Sequence, residues 1–342
     1  MNVYKLLKVN RMIKSSRLKL VGILLLHLFR RRYIGVFFDP ILACNLRCQM
    51  CHYSNEEKRK AIQGSFKGEY KTNNIDLIAK KFFPYALKVQ IGCAAEPTMD
   101  SQSTLKAVQL AKQYKVPYIS LTSNANLLNE DILRELIEEG LQEVTISMHG
   151  VKQSTYEWLM EGGNYNKLLE ALEKITLLKK QYKERKNRDF ILRINYTINE
   201  DNCEELGEFF SVFDKYSIDI LQLRPIQRLA DSKYNNFSWK RIISSYDRTI
   251  GFLREECQKR NITIIAPTKE DLEKTINNES IVVDYTYIYI SPQVTMEEGF
   301  SLQNDRFHTY RRTHGFYKNI LKRIFTKNLN SSLKTKLNYE IN

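Results

Sequence analysis

Three cysteines are the residues whose type and spacing carry chemistry in this chain. Cys44, Cys48 and Cys51 form a Cys-x3-Cys-x2-Cys triplet directly after the apolar run Gly35 to Pro40, so a thiolate loop hangs on a strand end. Three thiolates are one ligand short of a closed structural zinc site, which a fourth Cys or His normally completes. Iron–sulfur clusters, in contrast, are held by Cys thiolates at short, uneven spacings. A cubane cluster with three protein ligands keeps one iron open, and an open iron binds a small molecule. The competing reading is zinc with His52 as fourth ligand, a geometry strained by its direct neighbour Cys51. Cys93, Cys203 and Cys257 supply too few thiolates for an auxiliary cluster, and six cysteines in 342 residues are no disulfide scaffold. A reducing compartment, the cytoplasm by default, follows.

The elements that position this loop read as strand then helix, repeated. Strand-length apolar runs lie at Gly35 to Phe38, Lys88 to Ile91, Tyr118 to Leu121, Glu143 to Ile146, Phe190 to Tyr196 and Ile218 to Leu223. Helical patterns fall between them, at Ile75 to Phe83, Thr104 to Tyr114, Glu130 to Glu138, Tyr165 to Arg185 and Cys203 to Tyr216. Such alternation predicts βαβ units and a parallel sheet. Asn129 is a helix cap and Gly140 a stop. Ligands on parallel sheets bind at the carboxyl ends of the strands, so the residues just after each run are the ones to weigh.

The triplet, its preceding strand and its early position resemble the signature of the radical S-adenosylmethionine (SAM) superfamily, in particular a molybdenum-cofactor-cyclase and SPASM-like branch without the auxiliary-cluster cysteines. The resemblance implies an α/β fold with a partial (β/α)6 barrel over residues 34–226. It also implies one [4Fe-4S] cluster on Cys44, Cys48 and Cys51, with SAM chelated at the open iron. Met50 stands where the family usually has an aromatic residue, so a thioether would pack on adenine. Gly92-Cys93-Ala94-Ala95-Glu96-Pro97 resembles the Gly-Gly-Glu-Pro element, in which Glu96 would receive the SAM amino group. Ala94 and Ala95 replace glycines there, and a positive φ at Ala95 would strain it. Cys93 reads as a small buried hydrophobe.

Ser123-Asn124-Ala125-Asn126-Leu127-Leu128 resembles Thr-Asn-Gly-Thr-Leu-Leu, with Asn124 orienting loop backbone near the cofactor or serving only as a turn residue. In Ser147-Met148-His149-Gly150 the Ser147 hydroxyl would bond the ribose or carboxylate of SAM, and His149 reads as an ordinary loop polar residue. Arg193 and Asn195 share one face of their strand. Of these, Arg193 is assigned to the SAM carboxylate, which suits a guanidinium fork. Arg224 sits at the barrel mouth or is an exposed loop residue. The implied reaction is reductive cleavage of SAM to a 5′-deoxyadenosyl radical that abstracts hydrogen from substrate, fed by a reductase or flavodoxin-type electron donor. The substrate is a peptide or protein, or a lipid or polysaccharide precursor at a membrane. The other class of reading is a non-catalytic iron–sulfur or zinc protein that docks a partner at a membrane surface.

Charge is concentrated at the ends. Residues 1–33 carry nine Lys or Arg and no acid, and residues 306–342 carry nine against Glu340, within a net charge of +14. The body is therefore slightly acidic and shows no footprint for specific nucleic-acid binding. The segment 1–33 is too short in apolar residues to span a bilayer and reads either as a basic amphipathic helix on an anionic membrane surface or as a helix packed on the body. The first alternative adds a peripheral location on the inner face of the membrane. Residues 227–305 form a helix and strands resembling a degenerate SPASM extension, with a helix over Ser238 to Arg260, a strand-like run at Ile262 to Ile265 and an alternating strand over Ile281 to Ile290. Residues 306–342 are basic, with Phe307, Tyr310, Phe316 and Tyr317 interleaved, and read as a frayed, solvated tail ahead of a second anionic-surface contact or a weak RNA contact.

Overall fold

The computed structural model describes residue 13 and residues 15–65, 72–186, 189–226, 232–269, 272, 281–297 and 299–326. In chain order the elements are α1 (Ser16–Leu28), β1 (Ile34–Phe38), α2 (Glu56–Ser65), α3 (Thr72–Phe82), β2 (Ala86–Ile91), α4 (Ser101–Gln113), β3 (Tyr118–Ser123), α5 (Glu130–Glu138), β4 (Glu143–Met148), α6 (Gln153–Leu159) and α7 (Tyr165–Lys186). They continue with β5 (Ile191–Ile198), α8 (Phe209–Phe213), β6 (Ile220–Pro225), α9 (Trp239–Lys259), β7 (Thr263–Ile265), α10 (Val283–Thr286), β8 (Tyr287–Ile290), α11 (Phe307–Thr313) and α12 (Phe316–Phe325).

All eight strands join one parallel sheet in the order β7-β6-β5-β4-β3-β2-β1-β8. The sheet is open, with β7 and β8 as its edges, so the architecture is a partial barrel. The six strands expected from the apolar runs are all present. Local chemistry sets the helix starts: Asn129 accepts from the Ile132 amide, Asp100 from the Ser103 amide and Ser238 from the Lys240 amide. Gly140, at φ +117°, ends the turn after α5. Val89, Leu121, Val144, Ile146, Leu192, Ile194 and Leu221 are buried with the inward faces of the surrounding helices, forming one continuous core.

Three expectations for the later part of the chain change. The run Ile281 to Ile290 is not strand throughout. Val282 accepts from the amides of Tyr285 and Thr286, which coils the first half into α10, and only Tyr287–Ile290 is extended. Cys203 to Tyr216 is a 3-10 turn (Glu204–Glu208) followed by the short α8 rather than one helix. Residues Phe307 to Phe325 are no frayed tail, because α11 and α12 bury Phe307, Tyr310, Phe316 and Ile320 in the main core. Residues 327–342 lie outside the described residues.

The same helices receive α1. His27 is fully buried against them: its Nδ1 lies 2.7 Å from the Tyr33 hydroxyl, and its ring stacks on His308 at 4.1 Å and approaches Phe316 at 4.3 Å. Burial first, then the neighbouring His308 and Arg311, lower its pKa to about 3, so it is neutral. Arg32 fixes the exit from α1 by donating to the carbonyls of Phe83, Ala86 and Tyr114. Of the amino-terminal segment, residues 1–12 and 14 fall outside the described residues.

Candidate active site

The carboxyl ends of β1 to β6 converge on one pocket. Its wall holds Cys44, Cys48 and Cys51 from the loop after β1, Ala94, Ala95 and Glu96 after β2, Ser123 at the end of β3 and Asn124 after it. Ser147 near the end of β4, His149 after it, Asn195 and Thr197 on β5, and Arg224 on β6 also line it. Of the residues expected to bind SAM, Glu96, Asn124 and Ser147 are therefore together here, facing the three cysteines.

The cysteine loop is held by backbone contacts to neighbouring loops. The Arg47 amide donates to Glu161 O, the Gln49 amide to Leu159 O, and the Tyr234 amide to Gln49 O. Asn124 Nδ2 donates to Asn45 Oδ1 at 2.8 Å and reaches Cys44 Sγ at 3.9 Å, so Asn124 is a clamp on the loop as well as a turn residue. Burial pushes the Cys44 thiol up to about 12 and raises those of Cys48 and Cys51, while nearby cysteine and Glu96 charge adds to the effect at Cys44 and Cys48. A cationic partner is what ionises such thiols. Three sulfurs around one enclosed wall are the donor set an iron–sulfur cluster requires. Among the described residues, no Cys, His, Asp or Glu group is gathered tightly enough for a single metal ion. His52 Nδ1 is 3.9 Å from Cys51 Sγ, with its ring against Tyr53.

Glu96 is buried and heavily bonded. Its Oε1 accepts from the Thr98 amide and hydroxyl and from Ser123 Oγ at 2.8 Å, and its Oε2 accepts from the Asn124 amide at 2.7 Å. Glu96 therefore joins the loops after β2 and β3. An ionised carboxylate has about four acceptor sites, and Oε2 retains one for a ligand. Burial raises its pKa against these hydrogen bonds. The strain expected at Ala95 is absent, since its φ is not positive. Strain sits instead at Ala125, φ +69°, the position of the glycine in the motif that its loop resembles. Gly92 does need to be glycine: at φ +80° a Cβ would come within 2.3 Å of Thr122 O.

Arg193 does not reach the pocket. Parallel register puts Arg193 level with Thr145, and Asn195 level with Ser147. Arg193 is thus one layer below the site, where its Nη2 pairs with the buried Glu143 at 3.0 Å and its Nη1 donates to Gln222. Period two fixes the shared face of Arg193 and Asn195 but not the depth. Asn195 is the β5 residue that lines the pocket, and its Oδ1 is buried without a hydrogen-bond partner. His149 also proves to be part of the wall. Its Nδ1 accepts from the Thr197 amide, which leaves the ring proton on Nε2, and burial lowers its pKa to about 4, so it is a neutral donor.

Sequence reasoning missed Asp39. It directly follows β1 inside what reads as an apolar run, is 1% exposed, and accepts from the amides of Cys93 at 2.7 Å and Ala94 at 3.0 Å. The Tyr289 hydroxyl donates to the same carboxylate at 2.7 Å, so β8 is tied to the loop that carries Glu96. Burial raises the Asp39 pKa to about 6 despite these bonds. The available signal was an acid at a strand end immediately before the cysteine loop.

Residues 39–179, which contain the cysteine loop and the loops after β2, β3 and β4, match the Radical SAM superfamily. The GTP 3′,8-cyclase of Clostridium botulinum (strain Okra / Type B1) is 26% identical over 236 residues, covering 67% of this chain and 68% of the cyclase. Among solved structures, Streptococcus suis SuiB bound to S-adenosylmethionine superposes with a TM-score of 0.58 at 13% identity, over 76% of this chain and 58% of that one. The structure of anSMEcpe with bound AdoMet superposes with a TM-score of 0.61 at 16% identity, over 86% and 84% of the two chains. These superpositions establish the shared partial-barrel fold. Residues 39–179 are thus a radical SAM domain. As a radical SAM enzyme the chain works with SAM and an iron–sulfur cluster.

Proposed function

We propose that Cys44, Cys48 and Cys51 hold a single [4Fe-4S] cluster and that Glu96, Asn124, Ser147 and Asn195 seat SAM beside it. The observation that carries this reading is the common pocket: the three thiols and these four polar side chains all line it. When bound, the reduced cluster and SAM supply a 5′-deoxyadenosyl radical that abstracts hydrogen from substrate. The protein's part is orientation and exclusion of water. Glu96 Oε2 receives the SAM amine, Asn124 holds the loop of Cys44, Ser147 donates to ribose or carboxylate, and Asn195 Oδ1 accepts from a ligand hydroxyl or amine. Met50, buried with Leu159, Ile226 and Phe237, gives adenine an apolar contact. The electron comes from a reductase or flavodoxin-type donor, and the cytoplasm, where free cysteines persist, is the compartment.

For the substrate we favour a peptide or protein. The reading is supported by the open parallel sheet shared with Streptococcus suis SuiB, which is solved bound to the precursor peptide SuiA. A nucleotide is the second reading, favoured by the sequence likeness to a GTP 3′,8-cyclase.

Anaerobic reconstitution with iron and sulfide, dithionite reduction with SAM, and chromatography for 5′-deoxyadenosine test the reaction. Product is expected from the native chain and none from Cys48→Ala. An intact cluster that neither yields product nor changes its EPR signal on SAM addition refutes the reading and favours a non-catalytic cluster protein. Stimulation of 5′-deoxyadenosine release by GTP would replace the peptide reading with the nucleotide one.

A further inference from the structure

Helix α1 has two apolar faces. Leu20, Ile23 and His27 point inward at helical spacing and are buried. The opposite face carries Leu18, Val21, Leu25, Leu28 and Phe29, all exposed, Phe29 to 71%. Helix α12 packs beside it and runs the other way, since His27 meets Phe316 at its start and Arg17 donates to the Thr326 carbonyl at its end. It contributes Leu321 and Phe325, the latter 81% exposed. Thirteen residues of α1 make this strip about 20 Å long. A strip of that size left exposed among the described residues is uncommon on a soluble surface.

The charges that α1 and α12 themselves carry have one sign. Arg17, Lys19, Arg30 and Arg31 flank it on the α1 side, and Lys318 and Lys322 on the α12 side. No Asp or Glu occurs in residues 1–33 or 306–339. Lys5, Lys8, Arg11 and Lys14 precede α1 in sequence. No helix of the described residues is long and apolar enough to cross a membrane.

We propose that α1 and α12 together form a docking platform for an anionic lipid bilayer. Leucine and phenylalanine side chains enter the boundary between headgroups and acyl chains, and the basic rim meets lipid phosphates. A second copy of the chain would cover the apolar strip but would set one basic rim against another. The inner face of α1 is already packed on α11 and α12, so the helix is ordered before it meets lipid and docking carries little folding cost. The proposal does not depend on the substrate reading, yet it bears on it. The platform is joined to the amino-terminal ends of β1 and β8, through Tyr33 and through Arg311 bonded to Tyr285 O. The active-site pocket lies at the carboxyl ends of the same sheet. Platform and pocket therefore lie towards opposite ends of the sheet, which favours a substrate that arrives from the aqueous phase.

Co-sedimentation of the full chain with phosphatidylcholine vesicles, with and without phosphatidylglycerol, tests the platform. Binding is expected only with phosphatidylglycerol and is expected to weaken with salt. Arg30→Gln with Arg31→Gln should weaken it roughly 30-fold. Leu25→Ser with Phe325→Ser should weaken it at least about tenfold, with an unchanged circular dichroism spectrum because both side chains point outward. A native chain that stays in the supernatant with phosphatidylglycerol vesicles overturns the proposal. So does a serine variant that converts a dimer to a monomer while leaving vesicle binding untouched, which would assign the strip to a second copy.

Discussion

Replacing Asp39 with asparagine separates a buried charge from a buried hydrogen-bond acceptor. The carboxyl is fully enclosed, and its pKa rises from 3.8 to about 6, with desolvation as the first cause. The folded state thus binds the proton more tightly than the unfolded state. Stability at this site is fully present below the unfolded value and falls as pH rises through the folded value of about 6. At about 1.4 kcal/mol for each tenfold, the change across that window is about 3 kcal/mol. The Asp39→Asn side chain would carry no charge at any pH, so this slope should vanish. The substitution has its own cost: an amide NH2 placed at Oδ2 faces the Ala94 amide donor, and an unmet buried donor costs about 1–3 kcal/mol. Tyr289 tolerates the change, because its hydroxyl can accept where it now donates. The variant should accordingly be less stable than the native chain near pH 4 by about 1–3 kcal/mol, and roughly equal to it at pH 7.5, where removal of the charge offsets the lost bond. Urea denaturation of both proteins at a series of pH values, under reducing conditions, measures the difference. Parallel pH profiles would refute the reasoning, since they would mean that Asp39 titrates alike in folded and unfolded chains.

Three further outcomes follow from the site. Ala125→Gly should raise stability by about 1 kcal/mol, read as a shift in denaturation midpoint, because glycine accepts φ +69° without the Cβ clash. Asn195→Leu should leave stability equal or improve it by about 1 kcal/mol, by removing a buried carbonyl without a partner, while SAM affinity by titration calorimetry drops roughly tenfold; unchanged affinity would remove Asn195 from the SAM site. Arg193→Met should destabilise the fold by about 3–5 kcal/mol, because Glu143 is left buried without its guanidinium, yet the folded fraction should bind SAM normally. A large loss of SAM affinity at unchanged stability would restore Arg193 to the pocket.

The parts of the site legible in the sequence are those carried by short, contiguous motifs. Cys44, Cys48 and Cys51, the Glu96 loop, Asn124 and Ser147 each follow a recognisable apolar run, and parallel strands bring their carboxyl ends together. What was not legible depends on contacts distant in sequence. Strand periodicity cannot say whether Arg193 or Asn195 stands at the level of Ser147, because that depth is set by register with β4. Asp39 is hidden by its apolar neighbours, and its acceptor role appears only when the loop after β2 folds back over it. In α11 and α12 the abundance of Lys and Arg masks the inward spacing of Phe307, Tyr310, Phe316 and Ile320, whose burial needs α1 as a partner.

The bond between Asp39 and Tyr289 joins residues 250 positions apart. At about 5–20 residues per second, roughly 12–50 seconds of synthesis separate the two. During that interval the nascent chain already displays Cys44, Cys48 and Cys51, but β8 has yet to arrive beside β1 and steady the carboxylate that shapes the pocket. The loop that carries Glu96 thus gains its last tie late in the life of the nascent chain. Until then the three thiols stand beside a Glu96 loop that only the earlier strands hold in place.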